Sequence, residues 1–231
     1  MEHPRFSHKS RSVLNHRHLD RFTGDTLFAR LARAVCRAEC LPRKELYEAW
    51  ETARRVRRRL RGRVVVDMAA GHGLLAWTLL LLDDTSPRAV CVDPNRPPSA
   101  GRLEQTLVQR WPRLRDRVTY LEQSLETAPL DGDGLAVSVH GCGPLTDRVL
   151  DCALAVRAPL AVLPCCHDLR ACDTGHLDGW LDGPLAVDVT RAARLRNAGY
   201  RVLTQTIPDD VTPMNRLLMA WPERPPAPGS C

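Results

Sequence analysis

Three groups of residues in this chain have the types and spacing to do chemistry: a glycine turn flanked by acids, a histidine-cysteine-aspartate segment and a set of cysteines. The first is Asp67-Met68-Ala69-Ala70-Gly71-His72-Gly73, directly after the apolar run Val64–Val66. Gly71 and Gly73 carry no Cβ, so backbone can approach a ligand there in dihedrals closed to other residues. Asp93 closes a second apolar run, Ala89–Val92, twenty residues after Gly73. A carboxylate at the end of a second strand can accept hydrogen bonds from ribose hydroxyls, so the pair points to a nucleoside-bearing cofactor. Neither Lys nor Ser/Thr follows Gly73, which excludes a P-loop, and the spacing falls short of the full dinucleotide fingerprint G-x-G-x-x-G.

The second group is His140-Gly141-Cys142-Gly143-Pro144-Leu145-Thr146-Asp147, at the end of the fourth expected strand. With these two segments the chain resembles the class I S-adenosylmethionine-dependent methyltransferases, whose first motif is an acid followed by G-x-G-x-G. Ala69 stands at the first glycine position, and an extended residue there would need no positive φ. The His140–Asp147 segment resembles the H-x-C-G-x-x-T-D stretch of a branch that includes enzymes 2′-O-methylating tRNA acceptor stems. The likeness runs through most of residues 63–167. It implies an α/β, Rossmann-like three-layer sandwich with a mostly parallel seven-stranded sheet. It also implies S-adenosylmethionine held by Asp67, Ala69, Gly71, Gly73 and Asp93, with Glu122, Gln123 and Ser124 at the adenine and His140 beside the methyl group. His140 and Asp147 are then the candidate catalytic pair. An unperturbed imidazole titrates near neutrality and suits a general base. The plainer alternative makes His140 a loop-closing hydrogen-bond partner and Asp147 a carboxylate favoured by a helix dipole.

The third group is Leu163-Pro164-Cys165-Cys166-His167, within a chain of nine cysteines. The same methyltransferase branch carries a P-C-C segment after its fifth strand. Cysteine and imidazole suit zinc, and sulfur-rich sets also hold iron–sulfur clusters. Cys36 and Cys40 complete a set with Cys165 and Cys166 if the N-terminal helices fold over the sheet end. Against this, adjacent cysteines point to opposite sides when extended, and buried thiols also pack as small hydrophobes.

The net charge is +6, almost all of it from arginine, since Lys9 and Lys44 are the only lysines. Arg54, Arg55, Arg57, Arg58, Arg59 and Arg61 crowd the segment before the first strand. Guanidinium groups grip phosphates bidentately, so this run is the candidate RNA-binding surface, placed to guide a polyanion to the cofactor mouth. Alternatively, it is a solvated helix end whose cations complement the dipole.

Elements able to position these groups follow from apolar periodicity. Helices are expected over Thr26–Cys36, capped by Asp25, and over Arg43–Leu60 after Pro42. Strands at 64–68, 89–92, 118–121, 135–139 and 160–163 then alternate with helices at 71–82, 99–111 and 145–156. A helix at 188–197 precedes a closing pair of strands, 201–205 and 217–221. The implied organisation is an irregular N-terminus (1–24), a helical extension (25–62), a methyltransferase domain (63–222) and an irregular Pro-rich tail (223–231). The polar N-terminus and the short apolar runs predict a soluble, cytoplasmic protein without a membrane span. Together these readings predict a methyltransferase acting on structured RNA, tRNA or ribosomal RNA. The rivals are methylation of a protein or small molecule, and a noncatalytic scaffold that keeps the fold.

Overall fold

The computed structural model describes residues 6–223. The Pro-rich tail read as irregular lies outside it apart from Glu223, as does the start of the N-terminal segment. Seven strands form one sheet: β1 (Val65–Met68), β2 (Ala89–Asp93), β3 (Val118–Glu122), β4 (Leu135–Ser138), β5 (Leu160–Val162), β6 (Tyr200–Thr206) and β7 (Arg216–Pro222). Their order across the sheet is β3-β2-β1-β4-β5-β7-β6. Only β7 runs against its neighbours β5 and β6. This is the class I methyltransferase architecture expected from the sequence. The order reverses beside β1, and open α/β sheets bind ligands at the carboxyl edge of such a point.

Among the described residues there are six α-helices: α1 (Leu27–Ala38), α2 (Arg43–Val56), α3 (Leu74–Leu82), α4 (Ala100–Arg110), α5 (Pro144–Ala155) and α6 (Gly183–Asn197), with α1 and α2 packed mainly on α4 and α3. Strand alternation divides the interior in two. Val65, Cys91, Leu135 and Val137 join α1 to α4 in one cluster, while Val66, Met68, Val92 and Ala136 join α5 and α6 in the other. α3, Leu-Leu-Ala-Trp-Thr-Leu-Leu-Leu-Leu, is buried from Leu74 to Leu81. A helix apolar on every side needs cover on every side. The sheet covers one side, and α2 covers another through Leu46, Ala49, Ala53 and Val56.

Several element ends differ from those read in the sequence. Thr26, not Asp25, caps α1: its Oγ1 accepts from the Ala29 N–H at 3.1 Å. α2 stops at Val56 rather than Leu60, because Arg57–Arg59 tighten into turns. α6 starts at Gly183, well before Asp188, because Asp182 caps it by accepting from the Leu185 N–H. Within the segment read as irregular, His16–Arg21 forms a 3-10 turn and Leu14 and Phe22 enter the core. The Leu14 N–H donates to the Leu41 carbonyl at 2.9 Å, which ties this segment to the start of α2.

Candidate active site

The chain leaves β1 through three left-handed residues, Ala69 (φ 56°), Gly71 (φ 52°) and Gly73 (φ 75°). Ala69 is therefore left-handed rather than extended, contrary to the sequence reading. Replacing it with glycine relieves a Cβ strain of about 1–2 kcal/mol, partly offset by the larger unfolded-state entropy of glycine. Ala69→Gly is accordingly expected to raise stability by less than about 1 kcal/mol, read as a higher urea midpoint.

Asp93 and the turn form a single hydrogen-bonded unit. The Gly71 N–H donates to Asp93 Oδ2 at 3.0 Å, and the Asn95 N–H donates to Oδ1 at 3.0 Å. From β3, the Tyr120 hydroxyl donates to the Gly71 carbonyl at 2.8 Å. His72 Nε2 lies 2.8 Å from Ser99 Oγ, bracing the turn against the start of α4. A Cβ on Gly71 would meet nothing within 4 Å, so this backbone faces open space where a ligand could lie against it. Glu122 pairs in register with Asp93, which places Glu122, Gln123 and Ser124 along the same edge. Gln123 and Ser124 are already engaged locally, with Thr127 and Glu126.

A cavity of about 140 Å³ opens at the turn, lined by Asp67, Ala69, Gly71, His72 and His140 and roofed by Leu41, Glu45 and Ala49. It is smaller than the roughly 300 Å³ at which ligand pockets begin. It can take the amino-acid end of a nucleoside cofactor, whose adenosine would then lie outside it along Asp93. Burial pushes the Asp67 carboxyl up to about 8, against the hydrogen bond from the Ala76 N–H and with help from Asp93. Burial, then Lys44 and His72, pulls His140 down to about 4. Held low, the imidazole is a neutral but weaker base than the unperturbed group assumed from the sequence. Glu45 does titrate near neutrality: burial, then Glu48, pushes it up to about 7, against Lys44. Sequence reasoning missed Glu45, because a glutamate in a first helical turn reads as an ordinary dipole partner.

The loop after β4 is held from across the fold. Arg191 of α6, 2% exposed, donates from Nε and Nη2 to both Asp147 carboxylate oxygens, at 2.9 and 2.7 Å. Its Nη2 also donates to the Gly143 carbonyl at 2.9 Å. Asp147 is thus ion-paired to α6, and through Arg191 it is tied to the Gly143 carbonyl of the loop after β4.

The cysteines do not gather as first read. Cys36 is buried in α1 and Cys40 lies just beyond that helix; burial pushes both thiols up to about 11. Neither belongs to the cluster of thiols, which unites Cys165 and Cys166 with Cys142. Adjacency is no obstacle, because β5 ends at Val162 and Cys165 and Cys166 follow in non-repetitive chain.

The arginine run divides between two edges of the sheet. Arg54, Arg55 and Arg58 line a groove beside Gln205 and Thr206, at the carboxyl end of β6. Arg55 Nε donates to the Thr206 carbonyl at 3.1 Å, and Arg54 and Arg55 both pair with Glu51. Arg59 and Arg61 instead share a pocket with Arg63, Arg201 and Trp221 at the amino end of β1, away from the glycine turn. Arg57 lies in the turn that follows α2 and lines neither of these surfaces. The single patch leading to the cofactor mouth is therefore corrected to a smaller one, Arg54, Arg55 and Arg58.

The methyltransferase-domain family matches residues 44–172, more than half of the 231-residue chain. The chain belongs to this family. No curated protein matches this methyltransferase-family chain in sequence. Among solved structures it is similar to the B. subtilis M1A22 tRNA methyltransferase TrmK, at 12% identity and a TM-score of 0.52, over 74% of this chain and 65% of that one. It is also similar to an O-methyltransferase family protein from Burkholderia thailandensis, at 17% identity and a TM-score of 0.51, over 94% and 65% of the two chains. A third is the magnesium protoporphyrin IX methyltransferase ChlM of Synechocystis, at 15% identity and a TM-score of 0.50, over 90% and 96%. The aligned part of this methyltransferase-family chain thus spans about two thirds of the first two relatives, and at these identities the likeness is one of fold. Among the described residues no helix is long and apolar enough to cross a membrane.

Proposed function

We propose that the chain transfers a methyl group from S-adenosylmethionine to structured RNA, tRNA or ribosomal RNA. The observation that carries the cofactor reading is the unit made by Gly71 and Asp93 at the carboxyl edge of parallel strands. The backbone of residues 69–73 would take the amino-acid end of the cofactor, and Asp93, with spare lone pairs on both oxygens, would accept from the ribose hydroxyls. When bound, the sulfonium supplies an already electrophilic methyl group, so the protein's part is to align the acceptor and take its proton. Glu45, in the roof of the same cavity, is the group poised to receive that proton, and neutral His140 orients the acceptor by hydrogen bonding.

RNA as acceptor is supported by the His140–Asp147 segment, which resembles that of the tRNA acceptor-stem branch, and by Arg54, Arg55 and Arg58 on the cofactor side of the sheet. The small roofed cavity favours the alternative, a small-molecule acceptor, because a duplex cannot enter it.

Calorimetric titration with S-adenosylmethionine and its demethylated product tests the cofactor reading. Asp93→Ala is expected to weaken binding ten- to a hundredfold, since a hydrogen bond to a charged group is worth about 1.5–3 kcal/mol. No heat from the folded wild-type protein at millimolar cofactor would leave only a noncatalytic scaffold. A labelled-methyl survey of cellular fractions separates the acceptors: label in RNA supports the proposal, and label confined to small molecules or protein replaces it. If Glu45 takes the proton, the rate rises with pH through about 7, the value set by its burial. Glu45→Gln should flatten that rise and lower the rate by about a hundredfold; an unchanged pH profile would remove Glu45 from the reaction.

A further inference from the structure

Among the described residues, one group of three metal-ligating side chains brings its donor atoms within 4.8 Å of one another: Cys142, Cys165 and Cys166. The three sulfurs come from two loops, after β4 and after β5, at the carboxyl edge of the sheet. Bonds that involve none of the thiols hold these loops together. The Gly143 N–H donates to the Cys166 carbonyl at 3.3 Å, and the Leu163 N–H donates to the Ser138 carbonyl at 2.9 Å. Arg191 fixes the Gly143 carbonyl from the other side. Gly143 is left-handed (φ 53°), and a Cβ on it would stand 3.3 Å from Asp168 Cβ, so the close approach of the loops depends on glycine here.

We propose that Cys142, Cys165 and Cys166 bind one zinc ion as a three-thiolate site with its fourth position open to solvent. Sulfur-only ligand sets select zinc, copper(I) or iron–sulfur clusters. A cluster spreads its cysteines over separate irons, whereas three sulfurs within 4.8 Å suit a single ion. Tetrahedral zinc–sulfur bonds of about 2.3 Å place sulfurs about 3.8 Å apart. Cys142 Sγ and Cys165 Sγ stand 2.9 Å apart, so that pair must open, and Cys142 is the exposed partner of the two. Loading releases the thiol protons to solvent, each replaced by a sulfur–zinc bond. Cys142 and Cys166 are exposed, which provides the entry path and leaves the fourth tetrahedral position to water. Three protein ligands with one open position are the pattern of a zinc site that does chemistry, whereas purely structural sites are closed by a fourth. Cys142 lies two residues beyond His140, so this position sits on the same loop as the proposed acceptor site. The zinc site itself does not rest on methyl transfer.

The test is elemental analysis of the full chain purified without chelator, followed by cobalt(II) titration of the metal-stripped protein. One zinc per chain is expected, together with the thiolate-to-cobalt charge-transfer absorption of a tetrahedral site. Cys142→Ser, Cys165→Ser and Cys166→Ser should each lose the metal while keeping the wild-type circular dichroism, and Cys40→Ser and Cys152→Ser should keep it. A metal-free protein whose cobalt titration shows no thiolate absorption overturns the proposal. So does zinc that persists in the triple serine variant, or a Cys142–Cys165 disulfide in protein taken from a thiol-blocked lysate. Calorimetry with S-adenosylmethionine on the same preparations reads methyl-donor binding separately, so either result can fail while the other stands.

Discussion

Arg191→Met should cost about 3 kcal/mol of unfolding free energy, the scale for removing one partner of a buried ion pair. The guanidinium is 2% exposed and serves Asp147, Asp188 and the Gly143 carbonyl together. Methionine fills similar volume but leaves Asp147 without its partner and the Gly143 carbonyl without its donor. Asp188 fares better, because His167 and Arg216 still donate to it at 2.8 and 2.7 Å. Burial alone would raise the Asp188 carboxyl, and those hydrogen bonds outweigh burial to hold it low. Arg191→Lys should recover little, since an ammonium cannot reproduce the bidentate fork. Urea unfolding reads the loss as a lower midpoint at unchanged slope. A loss under about 1 kcal/mol would show that water replaces the guanidinium at Asp147, and would remove the anchor from the loop that carries His140 and Cys142.

Gly73→Ala should be comparably damaging, by a different route. Its φ of 75° strains any Cβ, and the new Cβ would stand 2.7 Å from Cys91 Sγ. Left-handed strain contributes about 1–2 kcal/mol and overpacking a further 1–3, so a total near 3 kcal/mol is expected. Adding Cys91→Ala removes the clashing sulfur but not the strain. The double variant should therefore regain part of the loss, relative to Cys91→Ala alone, and a double-mutant cycle isolates that part. Purely additive losses would mean that the turn moves aside rather than meeting Cys91. The cofactor test separates the same cases: a displaced turn carries Gly71 away from Asp93 and weakens binding, while a turn held in place does not.

How much was legible in advance depended on how far apart the deciding residues lie. Short apolar runs bounded by glycine and charge announced every strand, because burial within a sheet acts on each run separately. That Gly71 and Asp93 lie at one edge of the sheet was legible because a strand-turn-helix unit has a nearly constant length, whereas the hydrogen bond between them was not. Even locally, Ala69 was misread: its left-handed backbone is imposed by the turn rather than by any preference of alanine. The start of α6 was missed for another reason. Its first turn opens on Gly183-Pro184, a pair that reads as a loop, and the Asp182 cap carries little pattern on its own.

The amino-acid sequence by itself determined the alternation of strands and helices, the glycine turn, the acid at the end of β2 and the supply of thiols and arginines. Only the tertiary structure decided which of these act together. It paired Asp147 with Arg191, 44 residues away. It brought Cys142 to Cys165 and Cys166 and left Cys36 and Cys40 in the N-terminal layer. It divided one arginine run between two edges of the sheet, and it set Glu45 above the turn. The physical reason is that local backbone preference and apolar periodicity act within a few residues. Ion pairing, thiol clustering and burial-driven pKa shifts depend on neighbours that only the packing of distant segments supplies.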